Sequence, residues 1–188
     1  MKNKTLRIIV DITLIILGII FLVFGIKDLI NEINANKVED SVRFKKDYSY
    51  VSTDNVYKYI TLKELDKMLD SETGIVLVGN PKNPWTQVLV SPLNDVVKSS
   101  DMNIYYLDNS DIDESSKYYI SILSKLEIED FEVPNIIFIK QGTIIKLYSK
   151  SDLYESSYKD APIEYWTENR LESFNKDMVE QIDNLNKK

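Results

Sequence analysis

The chain has 188 residues, of which 44% are hydrophobic, a composition that fits a folded domain and argues against bulk disorder. Lys and Arg total 23 against 30 Asp and Glu, so the net charge of −7 speaks against non-specific nucleic-acid binding. Cys and His are both absent, which excludes disulfides, thiol redox chemistry, Cys/His zinc sites and any histidine general base.

The charge is unevenly placed. Residues 1–26 carry Lys2, Lys4 and Arg7 against Asp11, leaving an acidic block from 27 to the end. Ile8 to Ile26 is apolar apart from Asp11 and Thr13, and at 1.5 Å per residue it spans roughly 28 Å, close to the hydrocarbon thickness of a bilayer. The expectation is a transmembrane helix over 8–27 that touches membrane lipid. A cleaved signal peptide and a buried core helix are the alternatives, disfavoured by the length of the run, by the poor cleavage site at Phe24-Gly25-Ile26-Lys27 and by the lack of a polar stripe. Three bases before the run and Lys27 after it place residues 1–7 in the cytoplasm and the remainder outside. Residues 28–55 read as a juxtamembrane stalk, partly structured by Val42, Phe44, Tyr48 and Tyr50.

Beyond the stalk, helix and strand patterns alternate. Residues 55–60 are short and β-prone. Thr61-Leu62-Lys63-Glu64 is a capping box opening a helix over 62–71. Ile75–Val78 is apolar without alternation, as in a strand covered on both faces. Asn80–Pro84 is a turn, and residues 85–99 have helical spacing with Pro92 inside, which predicts a kink. Ile104–Leu107 is the next strand. Tyr118, Tyr119, Ile122, Leu123 and Leu126 mark a helix whose expected cap is Asp111 or Asp113. Ile136–Ile139 and Thr143–Tyr148 flank Gln141-Gly142 as an antiparallel hairpin, expected at the sheet edge. Leu171, Phe174, Met178, Ile182 and Leu185 trace a final helix over 167–186. Strands separated by helices are expected to pair in parallel, giving an α/β sandwich with helices on both faces of a mixed sheet.

The order and its landmarks resemble the thioredoxin fold, and in particular the membrane-anchored thioredoxin-like proteins of Gram-positive bacteria that include bacteriocin-transport accessory proteins. Asn83-Pro84-Trp85-Thr86 after the strand Ile75–Val78 looks like a Cys-Pro-Trp-Cys site with Asn83 and Thr86 at the cysteine positions. Val133-Pro134 before Ile136–Ile139 resembles the cis-Pro segment, and the resemblance implies a cis peptide there. It covers about residues 61–150, within a domain over 56–188 that carries an insert near 151–166. With both cysteines lost, dithiol exchange is excluded, so no catalytic residue, no metal and no cofactor are expected. What remains is a non-catalytic module gripping a peptide or protein partner through Lys82, Pro84, Trp85, Val133 and Pro134, in a setting of bacteriocin export or immunity, with no nucleic-acid partner. Trp85 is open to two readings: an exposed anchor, or a side chain buried against Tyr154, Tyr158, Tyr165 and Trp166 of the insert. The alternatives of another class are an enzyme using Lys82 or carboxylates, and a structural membrane component.

Asn109, Asp111 and Asp113 have the first spacings of a calcium loop, but Glu114 and Ile120 stand where such a loop needs Gly and Glu, so capping explains these acids better.

Overall fold

The computed structural model describes residues 40–155 and 163–187. The run 8–27, its flanks and the middle of the insert, with Tyr158, lie outside them. Among the described residues, no helix is long and apolar enough to cross a membrane.

The chain enters through a helix over residues 40–47, α1. There follow β1 (Tyr57–Tyr59), α2 (Leu62–Ser71), β2 (Gly74–Gly79), α3 (Pro84–Lys98), β3 (Ile104–Asp108), α4 (Lys117–Leu126), β4 (Asn135–Lys140), β5 (Thr143–Tyr148), a short α5 (Lys150–Leu153), a single 3-10 turn (Ile163–Tyr165) and α6 (Glu168–Asn186). The five strands form one sheet in the order β1-β3-β2-β4-β5. β3 pairs in parallel with both β1 and β2. β4 pairs antiparallel with β2 and with β5, as expected of the final hairpin, but β4 lies inside the sheet, so of the two hairpin strands expected at the edge only β5 is there. The apolar stretch Ile136–Ile139 of β4 satisfies that interior place, since it is covered on both faces.

Alternation along the strands divides the core. Ile75, Leu77, Ile104, Tyr106, Ile136 and Phe138 face α3 and α6, whereas Val76, Val78, Leu107, Ile137 and Ile139 face α2 and α4. The result is a three-layer α/β sandwich. The capping box of α2 is present: Glu64 N donates to Thr61 Oγ1 at 3.3 Å and Thr61 N to Glu64 Oε2 at 2.8 Å. In the β4–β5 hairpin, Gln141 and Gly142 both have positive φ, 51° and 79°, which a two-residue turn between right-twisted strands requires. A Cβ on Gly142 would lie 2.4 Å from the Asp70 carbonyl oxygen, so that turn also needs glycine for its seat against α2. The cap of α4 is Ser116, whose Oγ accepts from Tyr118 N, and not Asp111 or Asp113. Asp113 instead accepts from Ser115 N and Oγ, one turn upstream.

The stalk expectation is corrected over residues 40–55. Phe44, Tyr48 and Val51 are buried in the α3 side of the core, with Phe44 stacked on Tyr48 and Tyr57. Spacings of four and three put those side chains on one surface of a helix and its following turn, where three apolar groups suffice to dock an otherwise polar stretch. The Tyr48 and Tyr106 hydroxyls meet at 2.6 Å inside this cluster. Side chains along α3 then hold the segment: Asn94 Oδ1 accepts from Val56 N, and Lys98 Nζ donates to the Asp54 carbonyl.

α3 runs through Pro92 as one helix. Proline has no N–H, so the Val88 carbonyl four residues earlier loses its helical donor. Trp166 supplies a replacement, donating its indole N–H to Val88 O at 2.7 Å.

Candidate functional site

The predicted site residues come from two loops that the sheet brings together. β2 ends at Gly79, where a Cβ would lie 2.6 Å from Thr86 Cγ2, so only glycine lets the start of α3 pack this closely. The loop then tightens on itself. Lys82 N donates to Asn80 Oδ1 at 2.8 Å, and Asn83 N to the Asn80 carbonyl at 2.9 Å.

Asn83 is the N-cap of α3. Its Oδ1 accepts from Trp85 N at 2.9 Å and Thr86 N at 3.0 Å, satisfying two of the amides that a helix start leaves orphaned. Pro84, with no N–H to satisfy, occupies the first helical position. Thr86 is fully buried, and its Oγ1 accepts from Asn80 N at 3.4 Å.

The second loop precedes β4. Val78 pairs with Asn135, so Val133 and Pro134 continue past the end of β2 alongside the 80–84 turn. The Val133–Pro134 peptide is cis, as expected. Asn83 Nδ2 donates to the Val133 carbonyl at 3.4 Å, which joins the two predicted segments directly. Asn135 is buried with its Oδ1 lacking a hydrogen-bond partner.

Exposure divides the predicted binding residues. Lys82 and Pro84 are exposed and Val133 is half-exposed, so these three present atoms to solvent. Pro134 is buried beneath them. Trp85 is only 3% exposed, which decides between its two readings and removes it from the binding surface. Its indole lies 4.1 Å from the Tyr154 ring and meets Tyr165 edge-on at 5.5 Å, while Tyr154 Oη donates to the Trp85 carbonyl at 2.8 Å. The insert thus covers Trp85 with aromatic rings, which bury large area and prefer these edge and offset contacts. Burial also pushes the Tyr154 hydroxyl far above its ordinary pKa, so it stays a donor at any physiological pH.

One participant had no signal in the sequence. Gln87 Nε2 donates to the Pro81 carbonyl at 2.6 Å and to the Asp47 carbonyl at 2.9 Å, linking the loop to α1. A glutamine one turn into a helix reads as a solvated position, and the segment it reaches is 40 residues away.

Chemically the site offers shape, a cation and main-chain groups. The Asn83 and Thr86 side chains at its centre are engaged in hydrogen bonds that build the loop, and neither an amide nor a hydroxyl replaces a thiolate as nucleophile at neutral pH. No known protein family matches the sequence, and no curated protein does.

Proposed function

We propose that residues 40–188 form a thioredoxin-like domain without its thiols, which binds a peptide or protein partner through Lys82, Pro84 and Val133. In this reading the domain stands outside the cytoplasmic membrane, anchored by residues 8–27, and serves peptide or bacteriocin export or immunity. The observation that carries it is the meeting of the 80–86 and 133–135 loops across the Asn83–Val133 hydrogen bond. Two segments far apart in sequence converge where the resemblance puts a dithiol and its facing proline, while the thiols of that dithiol are missing. The exposed remainder, a lysine flanked by proline and valine, suits an extended peptide: the apolar side chains offer contact area and the ammonium a charged contact.

The natural chain has no cysteine, so a single Lys82→Cys substitution gives a unique handle. A membrane-impermeant maleimide should label it in intact cells, and a maleimide-benzophenone attached there should cross-link to a discrete partner on illumination. Labelling only after lysis contradicts the outward orientation. Labelling without an adduct, or with the same adducts from Val179→Cys on the exposed side of α6, contradicts the binding reading.

A further inference from the structure

Gln87 lies one turn into α3, half-buried, with both N–H groups of its side-chain amide in use. Both acceptors are main-chain carbonyls, so the amide can lie only one way round; reversed, its oxygen would face two other oxygens. Pro81 belongs to the candidate site. Asp47 is the last helical residue of α1, and its carbonyl is among those a helix end leaves without an internal donor. A single side chain therefore closes the end of α1 and at the same time grips the loop.

The loop's remaining hydrogen bonds are local, among Asn80, Lys82, Asn83 and Thr86, apart from the long contact to Val133. α1 is fixed to the sheet by Phe44 and by Tyr59, whose hydroxyl donates to the Asp47 carboxylate and whose ring lies under the Arg43 guanidinium at 3.7 Å. Motion of α1 against the sheet must stretch the Asp47–Gln87 bond, and Gln87 is then free to leave Pro81 as well.

We propose that α1 is a clasp on the 80–84 loop, with Gln87 as its link, so that displacing α1 releases the loop. The use of this coupling in partner binding rests on the reading above, but the coupling itself does not. It requires only that the two carbonyls share one side-chain amide and that opening of the loop be local.

Amide hydrogen exchange on the full chain tests it. Gln87→Met removes both donors at nearly constant volume and should speed exchange at Lys82 and Asn83 by about 3- to 10-fold, the effect of losing one modest hydrogen bond. Tyr59→Phe and Phe44→Leu loosen α1 without touching the loop; in the natural chain each should speed exchange at the same two amides. In the Gln87→Met background neither should add to it. Amides of β2 and β4 report the loss of global stability, and Tyr59→Phe or Phe44→Leu should speed them alike in both backgrounds. The proposal is overturned if Tyr59→Phe and Phe44→Leu leave the loop unchanged, or if they act on it by the same factor in both backgrounds. Cross-linking from position 82 reports on binding separately, so failure of the clasp and failure of the binding surface give different results.

Discussion

Two asparagines at the site should respond to mutation with opposite signs. Asn83 satisfies two helix amides and reaches Val133 besides, so Asn83→Ala should cost about 1–2 kcal/mol, as the loss of a good N-cap does. Asn135 buries an acceptor that has no donor, a burden of about 1–3 kcal/mol in comparable cases. Asn135→Leu keeps similar volume and removes the unpaired oxygen, so urea denaturation should show a midpoint equal to or above that of the natural chain. A midpoint lowered by Asn135→Leu as much as by Asn83→Ala would mean that the buried oxygen does have a donor, for instance an ordered water. The resemblance makes Asn83 a relic of a cysteine and hides its capping work; the Asn83-Pro84 pair ahead of an apolar helix is the available signal.

At the scale of elements, Pro92 and Trp166 form a testable pair. Trp166→Phe removes the donor that replaces the missing proline N–H and should destabilise by about 1–3 kcal/mol, since it leaves the Val88 carbonyl unpaired. In a Pro92→Ala background the helix regains its own donor to Val88, and the same tryptophan change should cost measurably less. Equal costs in the two backgrounds would show that the tryptophan acts through packing on Tyr154 and Phe174 alone.

Elements set by local chemistry were legible in the sequence: the capping box of α2, the Gln141-Gly142 turn, and the amphipathic stripe of α6, found at Glu168–Asn186 against an expected 167–186. What escaped depends on partners distant in sequence. The place of β4 between β2 and β5 follows from pairing, which the apolar run Ile136–Ile139 leaves open. Residues 40–55 are mostly polar, and their few aromatic side chains become a core only once β1 and β3 supply Tyr57 and Tyr106 beside them. Trp85 stood open between two readings because the rings that bury it arrive some 70 residues later.

For the whole molecule, its tyrosines predict how it fails at high pH. Burial raises the hydroxyl pKa of Tyr48, Tyr57, Tyr59, Tyr106, Tyr119, Tyr148 and Tyr154 well above the ordinary value. In the unfolded chain these groups lose protons near pH 10, while the folded protein keeps them, so above that pH the unfolded state binds fewer protons and stability falls as pH rises. The contribution is fully present below about pH 10, and each such group steepens the fall by about 1.4 kcal/mol per pH unit. The tyrosinate absorbance of these seven residues should therefore appear together with loss of near-ultraviolet circular dichroism, at a pH above 10, as a cooperative step. A smooth titration centred on pH 10 in a protein that stays folded would contradict the buried cluster.

The central claim is that the loop from Asn80 to Thr86 has the shape of a dithiol site whose thiols have gone. Asn83 and Thr86 lie three residues apart at the start of α3, close enough that the side chain of one bonds the main chain of the other at 3.0 Å. A cysteine at 86 also fits the tight contact with Gly79, since it lacks the methyl group that Thr86 brings there. The helix N-terminus favours the thiolate at position 83, which promotes exchange. The most direct measurement is therefore the thiol count of Asn83→Cys/Thr86→Cys under mild oxidant, by mass and alkylation on non-reducing gels. The account predicts a monomer with both thiols lost to an internal disulfide and regained on reduction. Thiols that stay free, or that pair only between molecules, would contradict it.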